Sequence, residues 1–172
     1  MAGRVAGRRV GRADRWVVGG LAIVLVALLV AIGLVATSRG DVDDGLSTAQ
    51  REVAAAARAE AVAFLTVDHE DMDAVVDAVL AGATGDFAEQ YAAQRDTLVS
   101  EAERTEATST GEVVALGVGD LDDDSATVLV AANSTVTNTG TGPDGQVRYY
   151  RLRLDLVRED GRWLTSAVEF VR

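Results

Sequence analysis

Trp16 to Ala36, WVVGGLAIVLVALLVAIGLVA, is a run of 21 residues without a charged side chain. At about 1.5 Å rise per residue, a helix of that length spans roughly 30 Å, the hydrocarbon thickness of a bilayer. Its flanks set a direction. Arg4, Arg8, Arg9, Arg12 and Arg15 precede it against Asp14 alone, whereas Arg39, Asp41, Asp43 and Asp44 follow. The cation excess predicts a cytoplasmic N-terminus and places the rest of the chain outside. Ala31-Ile32-Gly33 offers the small residues of a signal-peptidase site, but signal h-regions run about 7–15 residues and this run is longer, so it reads as an uncleaved anchor. Ala27 and Ala31 form a small-xxx-small pair, read as plain lipid-facing surface. The expected protein is a single-pass cell-membrane protein. It has a cytoplasmic Arg-rich tail (1–15), a transmembrane anchor helix (16–36), a linker (37–46) and an extracytoplasmic domain (47–172).

Charge narrows the partners of that domain. Five of the 16 basic residues and one of the 27 acidic ones precede the span, leaving 11 against 26 and a net charge of −15 beyond it. So acidic a segment repels phosphates, which excludes nucleic acid as a partner and disfavours anionic lipid headgroups. There is no cysteine, so neither disulfides nor thiolate metal sites are available. Every basic residue is Arg, a composition typical of GC-rich genomes. With few aromatics, Val, Leu and Ala must fill the core of one domain.

Periodicity divides the exterior into helices and then strands. Ser47 and Gln50 have the spacing of a capping box, and Val53, Ala57, Ala61, Phe64 and Leu65 make the apolar stripe of a helix reaching Leu65. Arg51, Glu52, Arg58 and Glu60 are assigned to its polar side. A second helix is capped by Asp68, with Glu70, Asp71 and Asp73 near its positive end. Met72, Val75, Val76, Val79 and Leu80 form its buried face, and Gly82 its C-cap. A third helix runs from near Asp86 to Arg104 on Phe87, Tyr91, Leu98, Val99 and Ala102. The period then becomes 2. Strands are expected at Thr105–Val118 (bulged or bent at Gly111), Ala126–Asn138, Val147–Arg158 and Arg162–Val171, with turns at Gly119–Ser125 and Asp160-Gly161. Helices followed by antiparallel strands make the class α+β: three helices on a curved four-stranded antiparallel sheet.

Chemistry is sparse. His69, the only histidine, sits in a cap region among acids and reads as structural. Asp68, Glu70, Asp71 and Asp73 lack the spacing of a Ca²⁺ loop, and Asp120, Asp122, Asp123 and Asp124 read as a solvated turn. Asn133-Ser134-Thr135 matches a glycosylation sequon, a frequent chance pattern. No nucleophile elbow, S-x-x-K or phosphate-binding glycine loop occurs. The expectation is no catalytic residue, no metal and no cofactor.

Several segments together resemble the Mce-associated membrane proteins of actinobacteria. They are FLTVD (Phe64 to Asp68), LAGATGDFAEQY (Leu80 to Tyr91), TSTGEVVALGV (Thr108 to Val118), ATVLVAANSTVTN (Ala126 to Asn138) and RLRLDLVREDGRWLTSAVEFV (Arg151 to Val171). Val67 departs from the aromatic often found there in that family. The resemblance implies a cystatin-like/NTF2-like domain and a non-catalytic accessory or scaffold role. Its partners would be the proteins of an Mce-type lipid-import complex in the cell envelope; oligomeric state is left open. The anchor-plus-domain plan is also similar to type IV secretion inner-membrane scaffolds. The opposing reading is a lipid-binding or enzymatic pocket, for which Tyr91, Tyr149, Tyr150 and Asp155 are the available side chains. For the scaffold reading the interaction surface is Tyr149, Arg151 and Arg153. These alternate out of phase with Leu152 and Leu154, and are of types enriched at interfaces.

Overall fold

The computed structural model describes residues 45–142 and 144–172, and the folded unit runs from Leu46 to Arg172. The predicted tail, membrane span and nearly all of the linker lie outside the described residues. Among the described residues no helix is long and apolar enough to cross a membrane.

Helix α1 (Thr48–Leu65) starts at the expected capping box. The Gln50 amide donates to Ser47 Oγ (3.2 Å) and the Ser47 amide to Gln50 Oε1 (2.8 Å), so two otherwise unsatisfied donors are paired at the first turn. A two-residue strand follows, β1 (Val67–Asp68), then α2 (Met72–Gly82), α3 (Gly85–Ala93), α4 (Arg95–Thr105), β2 (Thr108–Leu121), β3 (Ser125–Thr137), β4 (Gln146–Glu159) and β5 (Arg162–Phe170). The sheet is an antiparallel meander in the order β1-β2-β3-β4-β5.

The α+β class, the helices-then-strands order and the Asp160-Gly161 hairpin turn agree with the sequence reading. Both turn residues have positive φ (49° and 79°), as a two-residue hairpin requires. Several expectations need correction. Among the described residues there are four helices on five strands. The expected third helix breaks at Gln94, which ends α3 and begins α4. The break lets Arg95 reach back to the carboxylates of Asp73 (2.8 Å) and Asp77 on α2, while Leu98, Val99 and Ala102 pack on Met72 and Val76. Asp71, not Asp68, caps α2 by accepting from the Ala74 amide, and Gly82 is its last helical residue, not its cap. Asp68 belongs instead to β1, which pairs with Thr108 and Ser109. The short strand exists because Ser109 Oγ donates to Leu65 O (2.5 Å), holding the end of α1 against β2.

β2 also starts and ends later than expected. Glu106 closes α4 in the left-handed conformation (φ 50°), and pairing continues to Leu121, so the acidic turn shrinks to Asp122–Asp124. The register with β3 shifts between Val113 and Ala115 and again between Val118 and Leu121, not at Gly111. Gly111 marks a close approach: a Cβ there would sit 2.8 Å from Leu65 Cβ and 3.2 Å from Val62 O. The main core joins Val53, Ala57, Ala61 and Leu65 of α1 to Val128, Val130, Leu152, Leu154, Leu156 and Trp163 of the sheet. Each fully buried aliphatic side chain contributes about 1.5–3 kcal/mol, so this single contact surface dominates the fold.

Candidate functional site

The alternation of β4 sends Leu152, Leu154 and Leu156 into the core and Tyr149, Arg151 and Arg153 to the opposite, outer face. Register carries that face across the sheet. Tyr149 lies beside Asn133, Arg151 beside Ala131 and Ala115, and Arg153 beside Leu129 and Gly117. The small residues in the middle leave a shallow depression of about 260 Å³, lined by Ala115, Gly117, Leu129, Ala131, Arg151 and Val171. Tyr149 is 83% exposed and Leu129 53%. Val147, also large and apolar, is exposed on the same face. Arg153 is committed to structure, pairing with Asp155 (3.1 Å) and Glu169 (4.0 Å).

The residues nominated for a pocket do not converge. Asp155 lies on the outer face, accepting from Thr127 Oγ1 (2.9 Å) and Arg153 Nε (3.2 Å). Tyr149 is on that face as well, whereas Tyr150 points inward against Phe170, with ring centroids 6.1 Å apart. Tyr91 packs between Phe64 and Phe87 on the helical side. His69 Nδ1 lies 3.3 Å from Thr108 Oγ1. Asp68 and Asp71 accept from the amides of Glu70 and Ala74, and Asp122 from Ser125 Oγ. Among the described residues no group of three or more His, Asp or Glu is placed to hold a metal ion.

The chemically distinctive group is one the sequence reading assigned to the polar side of α1. Glu60 is buried, only 3% exposed, and its Oε1 has no hydrogen-bond partner. Burial raises its carboxyl from the ordinary 4.5 to about 7, because a charge is poorly solvated there. Glu60 in turn adds to the desolvation that raises the Tyr91 hydroxyl. Gly82 makes the space: a Cβ at that position would lie 2.1 Å from Glu60 Oε2. An open groove of about 560 Å³ adjoins, lined by Glu52, Ala55, Ala56, Ala59 and Glu60 of α1, Ala78, Ala81 and Gly82 of α2, and Gly161, Arg162 and Trp163. Trp163 Nε1 is likewise buried without a partner. A positional signal for Glu60 was present. Seven residues at about 100° each bring it within roughly 20° of Val53, on the buried stripe. Residue type, not position, had placed it outside.

Residues 17–172 match the family described as uncharacterized protein Rv1363c/MT1408-like. Uncharacterized protein Rv1363c of Mycobacterium tuberculosis is 30% identical over 118 residues, which cover 69% of this chain and 45% of that protein. This chain therefore matches less than half of that relative's length. Two solved structures are similar in fold. CagV of Helicobacter pylori, a VirB8 homolog of the type IV secretion system, aligns at TM-score 0.54 and 4% identity over 68% of this chain and 94% of its own. A putative aromatic ring hydroxylase from Novosphingobium aromaticivorans aligns at TM-score 0.50 and 15% identity over 72% and 90%. Proteins of such different description share the architecture, so the likeness shows the NTF2-like fold and leaves function to the residues.

Proposed function

The chain belongs to the Rv1363c/MT1408-like family of actinobacterial proteins, and from that premise we propose that its folded domain is a non-catalytic assembly module of a cell-envelope complex. The outer face of the sheet carries this reading. There the exposed Tyr149 and Leu129 flank Arg151 and a trough of small residues, placing aromatic, aliphatic and cationic groups on one exposed face. The finer reading is an accessory subunit of an Mce-type lipid importer, anchored by residues 16–36 with the domain outside the membrane. It rests on the segments between Phe64 and Val171 that resemble the Mce-associated proteins. A type IV secretion-like scaffold is the second reading, favoured by the fold of the VirB8 homolog.

The test is the double change Tyr149→Ala with Arg151→Glu, which spares the Arg153 ion pairs. The full-length variant should keep its thermal melt yet recover markedly less of the lipid-import subunits from detergent extracts, with lipid uptake falling in parallel. The single changes Tyr91→Phe and Asp155→Asn should leave uptake unchanged. Collapse of uptake on either single change, with the complex intact, would overturn the assembly reading in favour of pocket chemistry.

A further inference from the structure

The groove between α1, α2 and the β4–β5 turn combines features that a merely structural cleft does not need. Five of its eleven lining residues are alanine, yet it also holds a buried carboxyl whose Oε1 is unpaired. An unpaired buried carboxylate is costly, and a protein avoids the cost by pairing it or by protonating it. No cation among the described residues performs the pairing. Arg162 on the groove's rim is turned to α2, its Nη2 donating to Ala81 O (3.0 Å). Arg158 stacks over Trp163, 5.8 Å from the ring centroid, and reaches Glu52 at 3.9 Å. α2 lines the same groove with Ala78, Ala81 and Gly82, none of them charged, and the nearby Tyr91 hydroxyl of α3 supplies no positive charge.

The wider field has the same sign. Residues 45–172 carry 10 Arg against 23 carboxylates, a net charge of −13, which concentrates cations and repels anions at the surface. A groove of about 560 Å³ falls within the size range of small-molecule sites, roughly 300–1,000 Å³. The β4–β5 turn that forms one wall is held in place. Thr84 Oγ1 donates to both carboxylate oxygens of Glu159 (3.0 and 3.1 Å), and the Thr84 amide donates to Thr165 O (2.8 Å). The site is therefore preformed.

We propose that this groove binds a small organic ammonium ion with an apolar body, its cationic head pairing with the Glu60 carboxylate and its hydrocarbon part lying on the alanine walls. Pairing requires the ionised carboxylate, so binding is linked to proton release from Glu60. The other charged groups at the groove are Glu52, Arg158 and Arg162, and Glu60, the one whose burial raises its carboxyl, sets the pH dependence.

The test uses the ¹⁵N-labelled full-length chain in non-ionic detergent, with n-butylammonium chloride and n-butanol as probes at matched ionic strength. Binding is followed on the Trp163 indole resonance. Butylammonium should shift it saturably, with apparent affinity about tenfold weaker at pH 6 than at pH 8, following the ionised fraction of a group titrating near 7. Butanol should give a weaker, pH-independent response, and Glu60→Gln should reduce the butylammonium response to the level of butanol. Should that variant fail to fold, wild-type heats in two buffers of different ionisation enthalpy still decide the matter, because about half a proton should leave on binding at pH 7. Equal binding of butanol, an affinity independent of pH, full binding by folded Glu60→Gln, or no saturable shift would each overturn the proposal.

Discussion

Glu60 makes a stability prediction whose sign is opposite to that of most carboxylates. Its carboxyl titrates at about 7 in the folded protein and at 4.5 when exposed. Below 4.5 both states hold the proton and the group contributes nothing. Between 4.5 and 7 the unfolded chain ionises while the folded one does not, so stability falls as pH rises, and above 7 the loss is complete. At about 1.4 kcal/mol per tenfold change in proton affinity, the gap is worth about 3 kcal/mol, a large part of the roughly 5–15 kcal/mol that holds a domain together. The assay is urea unfolding of a Leu46–Arg172 fragment at pH 5 to 8, followed by far-UV circular dichroism and by the fluorescence of Trp163, its only tryptophan. Glu60→Gln keeps the shape without the charge. It should lie within about 1 kcal/mol of wild type at pH 5 and exceed it by about 3 kcal/mol at pH 8. Gly82→Ala supplies a second route, since the added methyl would displace Glu60 Oε2 from 2.1 Å. With the carboxyl forced toward water, the pH slope should flatten as it does in Glu60→Gln. Parallel pH profiles for wild type and Glu60→Gln would refute the reasoning.

Two further outcomes are expected. Leu154, with no exposed surface at the centre of the core, should cost about 2–5 kcal/mol as Leu154→Ala by chemical denaturation, and Leu154→Asp should abolish the cooperative transition. An alkaline phosphatase fused after Arg172 should be active if residues 16–36 are an N-in anchor, and the mature chain should retain its first residues by N-terminal sequencing; a product starting after Gly33 would mean cleavage instead.

Sequence alone determined what depends on neighbours along the chain. The capping box at Ser47, the amphipathic face from Met72 to Leu80, the Asp160-Gly161 turn and the alternation of β4 are local consequences of residue type and backbone period. Each was legible for that reason. So was the outer placement of Tyr149, Arg151 and Arg153, because a strand with three successive core Leu leaves its other face nowhere else to go. What escaped depended on groups distant in sequence. Gln94 breaks a helix whose period runs on unbroken, because Arg95 finds Asp73 and Asp77 on α2. Val67 and Asp68 pair as a strand because Ser109 anchors the end of α1. Glu60 lies on the apolar stripe, and its charge argued against burial until Gly82, 22 residues later, removed the side chain that would have filled its place. A buried carboxyl is stable or costly according to what surrounds it on all sides, and only the tertiary structure assembles those sides.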